Sequence, residues 1–138
     1  MKIKTHGKIS KRLVGVPIDV VDGVRATAEL TAISEMVADS SGLIHGGFTF
    51  GLADYAAMLA VNHPNVVLGS AQVKFIAPVK KGDIMRANAT VTKTEGKKTE
   101  VNVEINVEGL RVFAGILMCY TLEKQVFDKI TNKNKLVD

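Results

Sequence analysis

The stretch that decides the fold is Gly46-Gly47-Phe48-Thr49-Phe50-Gly51-Leu52-Ala53-Asp54-Tyr55-Ala56-Ala57-Met58-Leu59-Ala60-Val61-Asn62, where Asp54 is the only charged residue. Its small and apolar residues predict a helix over residues 46–62, and Pro64 prevents its continuation. A helix that is apolar nearly all round must be covered on more than one side. We therefore expect this helix to lie at the centre of the fold.

Strand patterns flank this helix on both sides. Alanine and leucine alternate with polar residues over residues 24–33, as in a strand with one buried face. Further strands are predicted over residues 66–77, 84–93, 99–108 and 110–123. The connections are short and contain Gly, Pro, Lys and Asp, which favours antiparallel neighbours because parallel pairing needs a long crossover. The sequence predicts an α+β fold with a five- or six-stranded antiparallel sheet curled around one long central helix.

The 138 residues are expected to form one domain. About ten N-terminal and twelve C-terminal residues are expected to be peripheral, with a frayed or weakly helical tail over residues 127–138. Edge strands of such a small sheet carry unpaired backbone groups, which are commonly covered by a second subunit. A homodimer or a dimer of dimers is therefore expected.

Composition narrows the class of protein. Apolar residues make up 46% and charged residues 23%, as in globular proteins, and no segment approaches the roughly 18 apolar residues of a membrane helix. The basic N-terminus lacks the apolar stretch of a secretory signal, and the lone Cys119 allows no intramolecular disulfide. We expect a cytoplasmic protein.

Nucleic acid is disfavoured as a ligand because the basic residues have no interleaved aromatic platform. No metal is expected, since three scattered histidines and one cysteine give no ligand spacing.

Asp54 is the candidate for chemistry. A carboxylate inside an apolar helix must be paired, hydrogen-bonded or shifted in pKa, because desolvating the charge is costly. Gly47 lies seven residues upstream, on nearly the same helix face, directly after Gly46 and His45. The alternative is a structural carboxylate that caps a loop or bridges to a Lys or Arg.

The segment from Asp39 to Ala56 resembles the signature of hotdog-fold acyl-CoA thioesterases of the phenylacetic-acid-pathway type. In that signature a Gly-x-x-His-Gly-Gly turn, here residues 42–47, precedes an apolar helix that carries an acidic residue. The similarity covers residues 39–56 in motif and roughly residues 10–123 in architecture. It implies hydrolysis of acyl-CoA to the free acid and CoA without a metal or organic cofactor.

Thioester hydrolysis needs a polarised carbonyl and an activated water or nucleophile. Free N–H groups of Gly46 and Gly47 at the helix N-terminus can hold the thioester oxygen as negative charge develops on it. Asp54 then acts either as the general base for water or as the nucleophile that forms a mixed anhydride. The resemblance implies that the donors of one subunit face the acidic residue of the other.

Three further residues are candidates around this centre. His45 either fixes the turn by hydrogen-bonding a carbonyl or transfers protons. Asp39 occupies the position where the resembled family often carries Asn; an Asn can donate a hydrogen bond to water or thioester, whereas an ionised Asp only accepts. Ser70 either orients the attacking water or is an ordinary serine of the sheet.

Substrate binding has two sets of candidates. The CoA phosphates can be held by charge-assisted hydrogen bonds from basic residues, and the acyl chain can lie against aromatic ones. The candidates are Lys80, Lys81, Arg86, Lys97 and Lys98 for the phosphates, and Phe48 and Phe75 for the acyl chain. The basic groups also fit a merely solvated surface, and the aromatic residues a core. The main alternative function is a non-catalytic acyl-CoA or acyl-carrier binding or sensing module on the same fold. A third is a hydratase or dehydratase, but such relatives usually pair a catalytic His with a carboxylate at another spacing, which this sequence lacks.

Overall fold

The computed structural model, which describes residues 1–124, confirms the α+β architecture of one central helix and an antiparallel sheet. The helix α1 spans Gly46–Val61, and one turn of 3-10 helix precedes it at Ser34–Met36. The six strands are β1 (Val16–Val21), β2 (Arg25–Thr31), β3 (Val66–Phe75), β4 (Ile84–Glu95), β5 (Lys98–Val107) and β6 (Leu110–Thr121). The predicted tail at residues 127–138 lies outside the described residues.

The sheet has the order β1-β2-β4-β5-β6-β3, and every neighbouring pair is antiparallel. The strands predicted individually correspond to β2–β6, whereas β1 was not among them. It is an edge strand that contains Pro17, a residue that sheets place at edges or bulges, and its register is irregular between Pro17 and Asp19. The strands β1 and β3 therefore form the two edges of the sheet.

The core lies between α1 and the inner face of the sheet. Inner positions of β5 and β6 carry large apolar side chains, such as Val101, Ile105 and Leu117, each fully buried. Under the helix β2 and β4 instead carry small residues, among them Ala28 and Ala87, which let α1 approach the sheet closely. The hydrophobic face of the sheet thus wraps around α1, and most residues of the helix are buried.

The helix ends where Asn62 turns into the left-handed conformation with φ of 51°. Its backbone N–H donates to the Met58 carbonyl at 2.7 Å. The end lies within one residue of the predicted one. No helix within residues 1–124 is long and apolar enough to cross a membrane.

Residues 1–15, which we call the N-terminal strap, pack against α1. Thr5 is only 3% exposed, and a Cβ on Gly15 would lie 2.8 Å from Leu52 Cδ1. The first ten residues were expected to be peripheral; most of them are exposed, and Thr5 is buried.

Candidate active site

The His-Gly-Gly turn is held on two sides before α1 begins. The backbone N–H of His45 donates to Met36 O at 2.9 Å, and that of Ile44 donates to Val79 O at 3.0 Å. His45 is extended, with φ of −67° and ψ of 133°, and makes no side-chain capping bond. The first N–H groups of a helix have no intrahelical partner. Gly46 and Gly47 therefore present main-chain donors at an uncapped N-terminus.

A cavity of about 240 Å³ opens beside this helix end. Its walls include Leu43, Gly46, Thr49, Phe75 and Ile76. Phe75 and Ile76 are 54% and 51% exposed, which is unusual for large apolar side chains. The ring of Phe75 approaches within 3.4 Å of the place where a Cβ of Gly46 would be. An apolar surface thus adjoins the free amides, as an acyl-binding site requires.

Asp54 has the environment of a functional acid. Its Oδ1 is buried and has no hydrogen-bond partner, and none of the ion pairs found in residues 1–124 includes it. Burial raises the pKa of the Asp54 carboxyl, and the charge of His6 opposes that rise. The structural alternative of a loop cap or salt bridge has no support in this part of the chain. Asp54 is half-buried, and its Oδ1 makes no hydrogen bond within residues 1–124.

The carboxylate and the amides do not meet in one protomer. Gly47 and Asp54 belong to the same helix, and seven residues at about 1.5 Å each separate them by about 10 Å along its axis. A donor and a base acting on one carbonyl group must each lie within about 3 to 3.5 Å of their atoms. The Gly47 amide and the Asp54 side chain thus lie at different levels of the same helix.

His45 and Asp39 both act on the turn. A Cβ on Gly47 would lie 3.0 Å from the His45 ring, which meets Phe48 edge-on with centroids 6.4 Å apart. Asp39 Oδ1 accepts hydrogen bonds from Ser41 Oγ at 2.7 Å, Ser41 N at 2.9 Å and Leu43 N at 3.3 Å. The hydroxyl of Ser41 is the largest cause that lowers the pKa of Asp39. The carboxylate thus stabilises the loop before the turn, and contact of either residue with a substrate stays a prediction.

The structure separates the other candidate residues into two groups. Lys80 and Lys81 lie beside the turn. Leu43 forms an isolated antiparallel β-bridge with Lys80, and the backbone N–H of Lys81 donates to Gly42 O at 2.8 Å. Phe75 is close to them in the cavity wall, while Phe48 is partly buried against the core. These residues surround the helix N-terminus together with Gly46.

The second group lies elsewhere in the protomer. Lys98 pairs with Tyr120 at the far end of β6, and Lys97 Nζ pairs with Glu123 at 2.8 Å. Arg86 donates to Glu29 Oε2 at 2.7 Å on the outer face of the sheet. Ser70 is in register with Met118, the neighbour of the buried Leu117, and so also belongs to the outer face. None of these residues joins Asp54 within one protomer.

A family model described as Thioesterase superfamily matches residues 41–114, which contain the turn, the helix and the cavity. The protein belongs to this superfamily. A methylthioribose-1-phosphate isomerase of Aquifex aeolicus is 50% identical over 115 residues, 83% of this chain but 25% of that protein. Transcription factor FapR of Caldanaerobacter subterraneus subsp. tengcongensis is 30% identical over 128 residues, 93% of this chain and 63% of that protein. The chain thus spans less than two thirds of these curated relatives.

Solved structures share the fold of this chain. The uncharacterized protein PH1136 from Pyrococcus horikoshii has a TM-score of 0.89 and 51% identity, covering 92% of this chain and 97% of that one. The phenylacetic acid degradation protein PaaI from Thermus thermophilus is more distant, with a TM-score of 0.72 and 25% identity over 80% of this chain and 95% of that one. The thioesterase superfamily and its hotdog fold are confirmed, whereas the narrower PaaI resemblance is confirmed only at this coarser level.

Sequence reasoning missed several residues of this thioesterase-superfamily site. Ile76 and Leu43 line the cavity, but in the sequence they are only ordinary apolar residues. His6 lies close enough to Asp54 for its charge to act on the carboxylate, and its ring centroid is 6.3 Å from that of Tyr55. Cys119 of β6 is buried near Asp54, and burial together with that charge raises the pKa of its thiol to about 12. No sequence signal links residue 6 to residue 54, since their proximity depends on how the strap crosses the helix.

Proposed function

We propose that the protein hydrolyses acyl-CoA thioesters to the free acid and CoA, with Asp54 as the activating group. The observation that carries the proposal is the buried Oδ1 of Asp54, which has no partner in residues 1–124. A carboxylate whose pKa is raised by burial is a better proton acceptor than a solvated one. Perturbed acids of this kind concentrate at functional sites. Membership in the thioesterase superfamily supports the same chemistry.

The proposed site is formed by two copies of the chain. The helix N-terminus of one copy supplies the Gly46 and Gly47 amides, and the other supplies Asp54. The edge strand β3 ends at Phe75 in the cavity wall and offers unpaired backbone groups to a second copy. A homodimer, alone or as half of a dimer of dimers, would bring complementary half-sites together.

The chemistry needs no strong acid for the leaving group. Asp54 accepts a proton from water as the water oxygen attacks the thioester carbonyl, and the main-chain amides hold the oxyanion. The C–S bond then breaks, and the thiolate leaves readily because the pKa of a thiol is about 8.5. In the alternative, Asp54 itself attacks the carbonyl, and water then hydrolyses the resulting anhydride.

The same geometry supports a binding mode for the substrate. Lys80 and Lys81 lie beside the turn and are the proposed ligands of the CoA phosphates. The acyl group lies in the cavity against Phe75 and Ile76. We place the activity in the cytoplasm because the single cysteine is free and buried.

A second candidate function is acyl-CoA sensing without turnover. It is favoured by the similarity to FapR, a protein named as a transcription factor, which is 30% identical over 93% of this chain. A sensor would use the same cavity and the same amides to bind a thioester. It would not need Asp54 as a base.

The test compares the wild type with Asp54→Asn on a panel of acyl-CoAs, with released CoA measured by a thiol-reactive dye. We expect hydrolysis by the wild type and a loss of about a hundredfold or more in the variant. Asp19→Asn is the matched control, because Asp19 is exposed on β1, near Arg25. The dye should give little background, since the thiol of Cys119 is buried with a pKa of about 12.

Two outcomes would contradict the proposal. Equal hydrolysis by wild type and Asp54→Asn would remove Asp54 from the mechanism. Binding of acyl-CoA by calorimetry, with no CoA released from any member of the panel, would support the sensor instead.

A further inference from the structure

We propose that His6 is a positioning residue that acts through Asp54, by placing an imidazolium beside the carboxylate. The inference rests on the proposed function, because it gives His6 a task only if Asp54 is the activating group. It adds the N-terminal strap to the machinery of the site. Four observations on the strap and the helix carry it.

The first observation is that the strap is anchored at the end of α1. Asn62 Nδ2 donates to Lys2 O at 2.8 Å and to Asp22 Oδ1 at 2.7 Å. Asn62 Oδ1 accepts from Lys4 N at 2.8 Å, and Lys4 Nζ pairs with Asp22 at 2.6 Å. Because Lys2 and Lys4 are both anchored, the position of His6, two residues further along, is restricted. The strap is thereby held against the helix.

The second observation is the local conformation of His6. Its φ is 51°, a left-handed value that is uncommon for a residue with a side chain. The His6 carbonyl accepts from Ile9 N at 3.1 Å and closes a turn there. Unusual backbone conformations that the surroundings enforce often mark functional positions. Here the turn directs the chain so that a half-buried His lies against α1.

The third observation is that the His6 ring is held in place. Its Nδ1 lies 2.6 Å from the hydroxyl of Thr5, a residue that is 3% exposed. When the ring is protonated, Nδ1–H can only donate to this hydroxyl oxygen. The ring also packs against Tyr55, with an interplanar angle of 48°. Two contacts thus orient an imidazole next to the residue that follows Asp54.

The fourth observation is the balance of charges around Asp54. Within residues 1–124, the titratable groups whose charges couple to Asp54 are His6 on the strap and Cys119 on β6. Cys119 is neutral near pH 7, because burial and Asp54 raise the pKa of its thiol to about 12. Burial raises the pKa of Asp54, and His6 lowers it. His6 is thus the cation that counteracts the desolvation of the base.

The consequence is a wider pH range for the proposed reaction. While His6 is protonated, Asp54 stays ionised to lower pH than burial alone would allow. Loss of the cation moves the acid limb of kcat/KM to higher pH. The plateau at higher pH, where Asp54 is ionised in either case, should be retained.

The test uses His6→Asn, because Asn adopts the left-handed conformation readily and can hydrogen-bond Thr5, but carries no charge. His63→Asn is the matched control, since His63 follows the end of α1 and its Nδ1 accepts from Asn65 N at 3.0 Å. The titration of the Asp54 carboxyl is followed by 13C NMR, with Asp54→Asn used for assignment. The pH profile of kcat/KM is measured on the same proteins.

We expect the Asp54 titration and the acid limb to move to higher pH in His6→Asn and to stay unchanged in His63→Asn. An unchanged Asp54 titration in folded His6→Asn would overturn the proposal, whatever the activity. A displaced titration without turnover of any acyl-CoA would support the charge role of His6 and overturn the proposed hydrolysis instead. If His6→Asn does not fold, His6→Gln is measured in the same way.

Discussion

At the scale of single residues, the proposed role of Asp54 conflicts with the stability of the fold. The chain buries a carboxylate in its central helix and provides no hydrogen bond to Oδ1 within residues 1–124. Burial makes the charged form less favourable in the folded state than in the unfolded state, which is why the pKa of Asp54 is raised. The folded protein therefore loses stability when this group ionises.

This conflict predicts how Asp54→Asn changes stability with pH. Because the folded state keeps the Asp54 proton to higher pH than the unfolded state, the free energy of unfolding falls as pH rises from the ordinary pKa of 3.8 through the raised folded value. Asn does not titrate. We expect Asp54→Asn to be more stable than the wild type at neutral pH and to lose this advantage below pH 3.8.

Urea unfolding at acid and neutral pH measures the effect. Asp19→Asn serves as the control, because its side chain is exposed and the substitution should change stability little at either pH. A wild type more stable than Asp54→Asn at neutral pH would show that the carboxylate has a stabilising partner in solution.

At the scale of elements, the two ends of α1 are built differently. The N-terminus has no side-chain cap and opens on a cavity, so its donors are available to a ligand. The C-terminus is closed by Asn62, which bonds to the strap and to Asp22 while its backbone is left-handed. One end thus carries the proposed chemistry and the other holds the helix and the strap together.

This difference predicts the cost of removing the cap. Asn62→Ala loses three half-buried hydrogen bonds at about 1 kcal/mol each and replaces Asn, which tolerates the left-handed region, by Ala, which tolerates it poorly. We expect a loss of about 3 kcal/mol or more in the free energy of unfolding. Asn62→Gly should lose about 1 kcal/mol less, because Gly adopts positive φ without strain. Equal stability of Asn62→Ala and wild type would mean that the anchor contributes nothing.

At the scale of the whole molecule, the sheet determines which residues can act together. One protomer carries the amides and Asp54 about 10 Å apart on one rigid helix. A sheet with β3 at its edge leaves pairing groups free for a second copy. The proposed composite site follows from these two facts.

A composite site predicts that two inactive variants restore activity to each other. Gly46→Pro removes one main-chain donor. The variant should fold because Pro is tolerated at the first position of a helix and His45 before it is already extended. The nearest atom to the new Cβ, on the Phe75 ring, is 3.4 Å away. Refolding Gly46→Pro together with Asp54→Asn should yield about a quarter of wild-type activity, the statistical yield of random pairing into symmetric dimers.

Each variant refolded alone is the control and should remain inactive. A mixture as inactive as its components, in a sample shown by light scattering to contain mixed dimers, would place the amides and Asp54 of each site in one chain.

The sequence by itself determined the elements whose pattern is local. Residues 46–61 form a helix because they are apolar and free of Pro, and β2, β4 and β5 alternate because one face of each strand is buried. The isolation of Asp54 and its distance from Gly46 and Gly47 are likewise properties of one short segment. The superfamily could be recognised from that segment alone.

Only the tertiary structure decided which distant residues meet. Strand register decides that β1 forms an edge and that Arg86, Lys97 and Lys98 lie away from the turn. The path of the strap decides that His6 packs against α1. A period of two or 3.6 residues tells which face of an element is buried, but not which remote segment covers that face. The register of the strands is fixed by how all of the side chains pack in the assembled core. It therefore cannot be deduced from the sequence of one strand.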